Sequence, residues 1–459
     1  VVVPADGAGA DLDLGHEERF IDEELNSLSN LTTGRVYSSV IQKERRGEYL
    51  GSTVQTIPHI TDEIKGSIRA LAARTGADVL ITEIGGTIGD IEGQPFIEAI
   101  RQIGREAGRG NALFIHVTLV PYLRASGEHK SKPTQHSVKE LQGLGVSPDI
   151  IVLRSDEPIE DRGIFRKVAD FCNVSEDCVI SNVTLPNLYE APLRLEEAGL
   201  ARAVCRGLGL ETPEPDLSEW REMVERMHSP RRSVRIGLVG KYVRLHDAYL
   251  SVAEALRHAA WAQDASAEIA WIDAEELEKP EGERLLSDLD GIIVPGGFGL
   301  RGTEGMLAAA RYARERHLPY FGICLGMQTA VIEFARDAAG LAGANSGEFD
   351  PESPHKVIDF MPGQSESVDK GGTLRLGACP CEIVPGTTLA RCYGQDEVWE
   401  RHRHRYELNN AYRGRLTAAG LTLSGLSPDG KLVEAVELGS ERFFVGVQYH
   451  PEFKSRPNR

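Results

Sequence analysis

The sequence has no long hydrophobic run. Its most apolar stretch, "LFIHVTLVPYL", is interrupted by His116 and Pro121, so nothing reaches membrane-spanning length. The first residues lack the basic, apolar and small-residue regions of a signal peptide. Basic residues are outnumbered: 51 Lys and Arg against 69 Asp and Glu leave a net charge of −18. That gives no global electrostatic reason to bind nucleic acid or a membrane surface. Seven cysteines, an odd number scattered over 459 residues, make no disulfide framework. There is no internal repeat, no low-complexity tract and no phosphate loop of the form G-x-x-x-x-G-K-[ST]. The nearest stretch, "GLVGKY" (Gly237 to Tyr242), has the wrong spacing and no hydroxyl after the lysine, and reads as a decoy. An initiating methionine is missing as well. The chain opens "VVVPADGAG" and closes "HPEFKSRPNR", as a fragment or a chain trimmed at each end would. What remains is the expectation of a soluble, acidic, reduced, cytoplasmic protein.

At this length two or three domains are expected. From Asp78 onward, short apolar runs alternate with helical periodicity. "DVLITEIGG", "ALFIHVTLVPYL", "DIIVLRSD" and "CVISNVT" read as strands; "QPFIEAIRQIGREAG", "PTQHSVKELQGLG" and "GIFRKVADFC" read as helices. The stretch 210–233 is rich in proline and charge, with one amphipathic helix, and reads as a linker. A second alternation follows it: "VRIGLVG", "AYLSVAEALRHAA", "AEIAWID", "LDGIIVPGG", "GMLAAARYARER" and "LPYFGIC". Strands apolar on both faces between helices indicate an α/β protein with two doubly wound parallel-sheet domains. The expected division is 1–209, a linker 210–233, and 234–459.

In "FGICLGMQ" an apolar strand delivers Cys324 into a Gly-flanked turn that opens a helix, which is nucleophile-elbow geometry. Gly322 and Gly326 allow a tight bend and close approach. A helix N-terminus favours an anion and offers N–H groups to an oxyanion. On this stretch alone a nucleophile and a buried small hydrophobe stand about level. "QYHPEF" places His450 and Glu452 two apart in extended chain, on one face, so Glu452 can orient His450 as the base for Cys324. "IIVPGGFGLRG" supplies a glycine loop after a buried strand, suited to oxyanion donors.

"PGGFG", "GICLGMQ" and "HPE" together resemble class I, triad-type glutamine amidotransferase domains. The resemblance implies Cys324 as nucleophile, His450 as base and Glu452 as its partner. It implies oxyanion donors at the backbone of Gly297 and Leu325, and ammonia released from glutamine through a glutamyl thioester. It also sets glutamine against Gly297, Leu325, Gly326, Met327, Gln328, Glu348 and Arg405. The last two make chemical sense, since a zwitterionic amino acid needs one cation and one anion.

The first half carries Asp11 and Asp13 in "DLDLGHEERF", Glu83 closing an apolar run, and Asp90 and Glu92 on a glycine-rich loop. Carboxylates at the carboxyl ends of parallel strands suit Mg²⁺ on nucleotide phosphates. Lys130 and Lys132 precede a helix start at Pro133, a possible anion cradle. Taken one at a time, each is as well explained as a solvated acidic loop or a charged cap. "TTGRVYSSVIQKERRGEYLGSTVQTIPHIT", "GGTIGDIE" and "KSKPTQHSVKEL" resemble the synthetase (amidoligase) domain of the CTP synthase family. "GANSGEFDP", "GGTLRLGA" and "ERHRHRYELNN" resemble its glutaminase domain, so the likeness runs over essentially the whole chain.

This resemblance implies Mg²⁺ ligands at Asp13 and Glu83, with Asp13 also facing ATP. It implies a UTP/CTP site at Asp90, Ile91 and Glu92, at Lys130, Ser131, Lys132, Pro133, Thr134 and Gln135, and at Lys167. ATP would phosphorylate the UTP 4-oxygen, and ammonia would displace the phosphate. A homotetramer, feedback inhibition by CTP and activation by GTP are implied too.

Several departures stand out. The family's opening phosphate loop is not in this sequence, Glu17 replaces a tyrosine, and "GEHKSKPTQ" carries His129 and Ser131. The loop near "DFMPGQSESVDKGG" is short. The expectation is therefore weak or absent synthetase activity from the chain as it stands, unless an upstream segment completes it. The alternatives are a glutaminase coupled to another acceptor and a non-catalytic nucleotide-binding assembly partner. "ACPC" (Cys379, Cys381) has no second pair at zinc spacing and reads as ordinary thiols.

Overall fold

A computed structural model of the chain describes residues 3–7, 12–360, 375–439 and 443–458. Asp11 and the loop 361–372 lie outside the described residues. The chain divides into two compact units, Val1–Asn30 with Glu225–Arg459, and Leu31–Val224. This differs from the expected division at its first boundary. The opening residues, with helix α1 (Leu12–Ile21), belong to the unit formed by the second half of the sequence. A fully buried ion pair between Glu18 and Arg401 accounts for this, because it ties α1 to a strand nearly four hundred residues away. No helix among the described residues is long and apolar enough to cross a membrane.

The unit 31–224 is built on a parallel sheet in the order β1 (Ile115–Leu119), β2 (Ile150–Ser155), β3 (Val179–Val183). Helix α2 (Lys132–Gly143) returns the chain from β1 to β2, with Val138 and Leu141 buried. Thr134 Oγ1 bonds Thr118 Oγ1 and the Leu119 carbonyl, fixing the first turn of α2 to β1. The expected strand "DVLITEIGG" is not one: it runs irregularly, with Val79 and Ile81 exposed. An apolar run becomes a strand only where a neighbour satisfies its backbone groups, and among the described residues β1 pairs with β2 alone.

Among the described residues the other unit carries a nine-stranded sheet. Its strands are β4 (Arg232–Gly240), β5 (Ala265–Asp273), β6 (Gly291–Val294), β7 (Tyr320–Ile323), β8 (Arg375–Ile383), β9 (Glu397–His404), β10 (Leu421–Leu426), β11 (Val433–Leu438) and β12 (Phe444–Val447). The spatial order is β9-β8-β10-β11-β12-β7-β6-β4-β5. From β12 to β5 all pairings are parallel; from β9 to β12 all are antiparallel. The fold is α/β, with an antiparallel extension that the apolar runs did not reveal. The expected linker contains the helix Ser218–His228 and ends inside β4.

Helix α3 (Leu325–Asp337) follows β7 with one residue between them, Cys324. The first eleven residues of α3 are all buried. Glycines let it lie this close. A Cβ on Gly322 would stand 2.6 Å from the Gly326 backbone, and one on Gly326 would stand 1.9 Å from the Val294 carbonyl oxygen. Gly322 pairs with Val294 on one side and Gly446 on the other, so β6, β7 and β12 all end beneath the start of α3.

Candidate active site

Cys324 has φ 54° and ψ −102°, in the half of conformational space that side-chain-bearing residues avoid. Such strain persists only where surroundings over-determine it. Here they do: the Cys324 N–H donates to the Val447 carbonyl at 2.7 Å, and Gly326 is wedged on Val294. The turn points the thiol into a cavity of about 380 Å³ lined by Tyr249, Gly296, Gly297, Arg403, His450 and Glu452 among others.

His450 follows the end of β12, and Pro451 opens a short 3₁₀ turn that brings Glu452 back beneath the ring. Nδ1 of His450 meets Glu452 Oε1 at 2.8 Å, leaving the other nitrogen for the thiol. Burial disfavours the charged imidazole. The negative charges of Glu452 and Cys324 outweigh it and hold His450 up at about 10. The arrangement therefore favours a protonated imidazole beside the Cys324 sulfur.

A third group touches the sulfur. Gln448 Nε2 lies 3.6 Å from Cys324 Sγ. Which end of this amide faces the sulfur is fixed by its neighbours. Gln328 Nε2 donates to the Tyr406 carbonyl at 2.8 Å and to Gln448 Oε1 at 3.1 Å, so the Gln448 nitrogen must turn to Cys324. Gln328, expected against glutamine, is thus turned into the interior. Leu325, Gly326 and Met327 are buried, and only their backbone can serve the cavity. Leu325 opens α3, so its N–H has no acceptor within the helix.

The loop 295–302 passes directly over the pair: a Cβ on Gly296 would stand 2.9 Å from His450 Cε1, and one on Gly297 3.3 Å from Leu325 Cδ2. Lys241, the lysine of the decoy "GLVGKY", holds this loop. Its Nζ donates to the Gly299 carbonyl and, at 3.3 Å, to Thr303 Oγ1, while Arg301 donates to the Lys241 carbonyl at 2.5 Å. Burial, partly opposed by Glu348, draws the Lys241 amine down to about 8. The Tyr249 hydroxyl accepts from Lys241 N at 3.0 Å and meets the Gly296 carbonyl at 3.4 Å; burial pushes this phenol up to about 12, so it stays a donor. Glu348 accepts from Gly299 N at 3.0 Å. Arg405 is half-buried just past β9 and does not line the cavity, whereas Arg403 does, over the ring of Phe298.

The residues expected at a nucleotide site are placed less tightly. Asp13 is exposed on α1 in one unit; Glu83, Asp90, Ile91 and Glu92 are exposed in the other. Asp90 Oδ2 accepts from Thr87 N at 3.3 Å, closing the glycine loop. Lys130 meets Glu128 at 2.6 Å, Lys132 and Pro133 are exposed at the first turn of α2, and Lys167 is exposed on the helix Arg162–Cys172. Ser131, Thr134 and Gln135 are buried. Gln135 bonds Ser131 Oγ at 3.2 Å, so these side chains brace the turn. Among the described residues no three His, Cys, Asp or Glu side chains gather as a metal cluster. Taken singly, the carboxylates of Asp13 and Glu83 are each the hard oxygen donor that Mg²⁺ takes.

Comparison with known proteins agrees with both halves. Residues 1–210 match the model of the CTP synthase N-terminus, and residues 244–459 that of the class I glutamine amidotransferases. The chain is 60% identical over 459 residues to a CTP synthase of Thermomicrobium roseum, covering all of this chain and 83% of that protein. It is 60% identical to one of Carboxydothermus hydrogenoformans, of which it covers 86%. Among solved structures it resembles the glutaminase domain of Trypanosoma brucei CTPS with bound acivicin. The identity there is 46%, over 49% of this chain and 88% of that one, with a TM-score of 0.46.

Proposed function

This chain belongs to the CTP synthase family of glutamine-hydrolysing, ATP-dependent ligases, and we propose that Cys324, His450 and Glu452 release the ammonia with which it aminates UTP. ATP, UTP and glutamine are its substrates. The thiolate of Cys324 attacks the glutamine carboxamide carbon, and the N–H groups of Gly297 and Leu325 receive the oxyanion. The His450 imidazolium gives its proton to the departing nitrogen, which leaves as ammonia. Neutral His450 then takes a proton from water, whose oxygen cleaves the thioester to glutamate, and the thiolate leaves beside the re-formed imidazolium. Glu452 holds the ring and stabilises its charged form. Gly297, Leu325, Gly326, Met327 and Glu348 form the glutamine site, with Arg405 just beyond the cavity lining and Gln328 acting through Gln448. The observation that carries this reading is the strained Cys324 at the strand–helix junction, with the His450–Glu452 pair beside it.

In the other half, Asp90 to Glu92, Lys130 to Gln135 and Lys167 bind UTP, and CTP as feedback inhibitor. Asp13 and Glu83 would each offer a carboxylate oxygen to Mg²⁺, which would supply charge neutralisation on the transferring phosphoryl group. The lysines orient the triphosphate. Ammonia replaces the phosphate at C4 of the phosphorylated UTP. Cytoplasmic location, a homotetramer and activation by GTP belong to the same proposal.

Two results are expected. Glutamine hydrolysis should fall at alkaline pH as His450 loses its proton, near pH 10 in the unsubstituted protein. Glu452→Gln removes a charge that raises His450, so the alkaline limb of kcat should move down by roughly one unit or more. A limb that stays in place would remove Glu452 from this role. Chelation with EDTA should stop CTP formation while glutamine hydrolysis continues, and Glu83→Gln should do the same at ordinary Mg²⁺. Equal loss of both activities would count against Glu83 as a ligand.

A further inference from the structure

We propose that Glu18, on α1, is a positioning residue for the catalytic histidine and acts through Arg401. The inference rests on His450 being the proton carrier of the triad. Arg401 is fully buried on β9 and Glu18 is 1% exposed. Nη1 of Arg401 donates to Glu18 Oε2 at 2.8 Å and Nη2 to Oε1 at 2.9 Å, a two-pronged contact that fixes distance and angle together. The Leu25 N–H donates to the same carboxylate at 2.8 Å. The backbone carbonyl of Arg401 in turn accepts the N–H of His450 at 2.8 Å. A carboxylate on α1, a guanidinium on β9 and the backbone of His450 therefore form one series.

The turn beyond His450 is fastened to the same segment. Lys454 Nζ reaches the Trp399 carbonyl at 2.7 Å and Glu24 Oε1 at 3.3 Å. Arg456 approaches Glu18 Oε2 at 3.9 Å and Asp22 Oδ1 at 3.6 Å, and donates to the Glu23 carbonyl at 3.4 Å. Cys324 is held by the Val447 carbonyl and the start of α3. The strand end at Val447 sets one side of the thiol–imidazole distance, and the Arg401 carbonyl, braced from α1, sets the other.

Stability alone does not call for this arrangement. A buried ion pair loses most of its attraction to desolvation, and apolar residues of equal volume serve a fold as well. What the fork adds is geometry. Glu452 and Cys324 are the leading charges on the His450 ring, and Glu18 reaches His450 through Arg401, so its influence is on placement.

The test is steady-state glutamine hydrolysis by the full chain. Glu18→Gln should lower kcat about tenfold to a hundredfold, with KM for glutamine within about twofold and the alkaline limb unmoved. Because a lone buried guanidinium threatens folding, the apolar pair Glu18→Leu with Arg401→Met is measured beside it. This pair should melt within a few degrees of the parent and show the same loss of kcat. Glu18→Asp, which keeps the charge, should recover part of it. Parental kcat in the folded apolar pair, or a loss confined to KM, overturns the proposal. Cys324→Ala separates the two readings: residual hydrolysis in that variant would sink the triad itself, whereas its silence with an unaffected Glu18→Gln sinks only the positioning role.

Discussion

Replacing Cys324 by alanine is expected to abolish glutamine hydrolysis, by about four orders of magnitude or more, while ammonium chloride still supports CTP formation. The size follows from chemistry with no substitute pathway. The acyl transfer needs a nucleophile at the bottom of the cavity, within reach of His450 and both oxyanion donors, and no other thiol of the seven lines that cavity. Burial pushes Cys172 up to about 11 and Cys381 up to about 12, so both stay protonated. Glutamate release, followed with and without Cys324, is the measurement. Hydrolysis persisting at even a hundredth of the parental rate would mean that the nucleophile lies elsewhere. Ammonium-supported synthesis lost together with hydrolysis would mean that Cys324 serves the fold instead.

The parts of this site that were legible in the sequence are those that local chain geometry decides. An apolar strand entering a Gly-flanked helix start forces a turn at Cys324, and His450 and Glu452 come together because one short turn joins them. Gln448 could have been read by the same rule, since it lies two residues before His450; its meaning depends on Gln328, which is 120 residues away. Lys241 sits in a stretch, "GLVGKY", whose spacing fits no phosphate loop. Its real task is to hold a glycine loop 58 residues further on, which no spacing rule encodes. Glu18 and Arg401 are separated by 383 residues and look like ordinary charges until the fold buries them. The expected strand at Asp78 failed for a related reason: apolar content is a property of a segment, but pairing belongs to two. The parallel half of the larger sheet was readable from continuous apolar runs. The antiparallel half was not, because its strands carry Glu400, Arg401, His402, His404 and Glu434 into the interior.

Gly326→Ala should be strongly damaging too, although it adds only one methyl group. The added carbon would stand 1.9 Å from the Val294 carbonyl oxygen, a backbone atom that cannot swing aside. Relief requires the first turn of α3 to lift off the end of β6. That displacement separates Leu325 N–H from the loop at Gly297, which continues from β6, and disturbs the Cys324 backbone between them. Overpacking of this kind costs about 3 kcal/mol. A shift near 1 Å at reacting groups costs about a hundredfold in rate. Gly326→Ala is therefore expected to lower the denaturation midpoint and to cut kcat for glutamine by about a hundredfold or more. Gly414→Ala is the comparison: it lies in the helix Arg413–Ala418, with nothing within 4 Å of the added carbon. There alanine should leave kcat unchanged and stability equal or slightly higher, since it favours the helix over glycine. If both variants behave alike in melting and in rate, close packing at the elbow is not what holds the catalytic geometry.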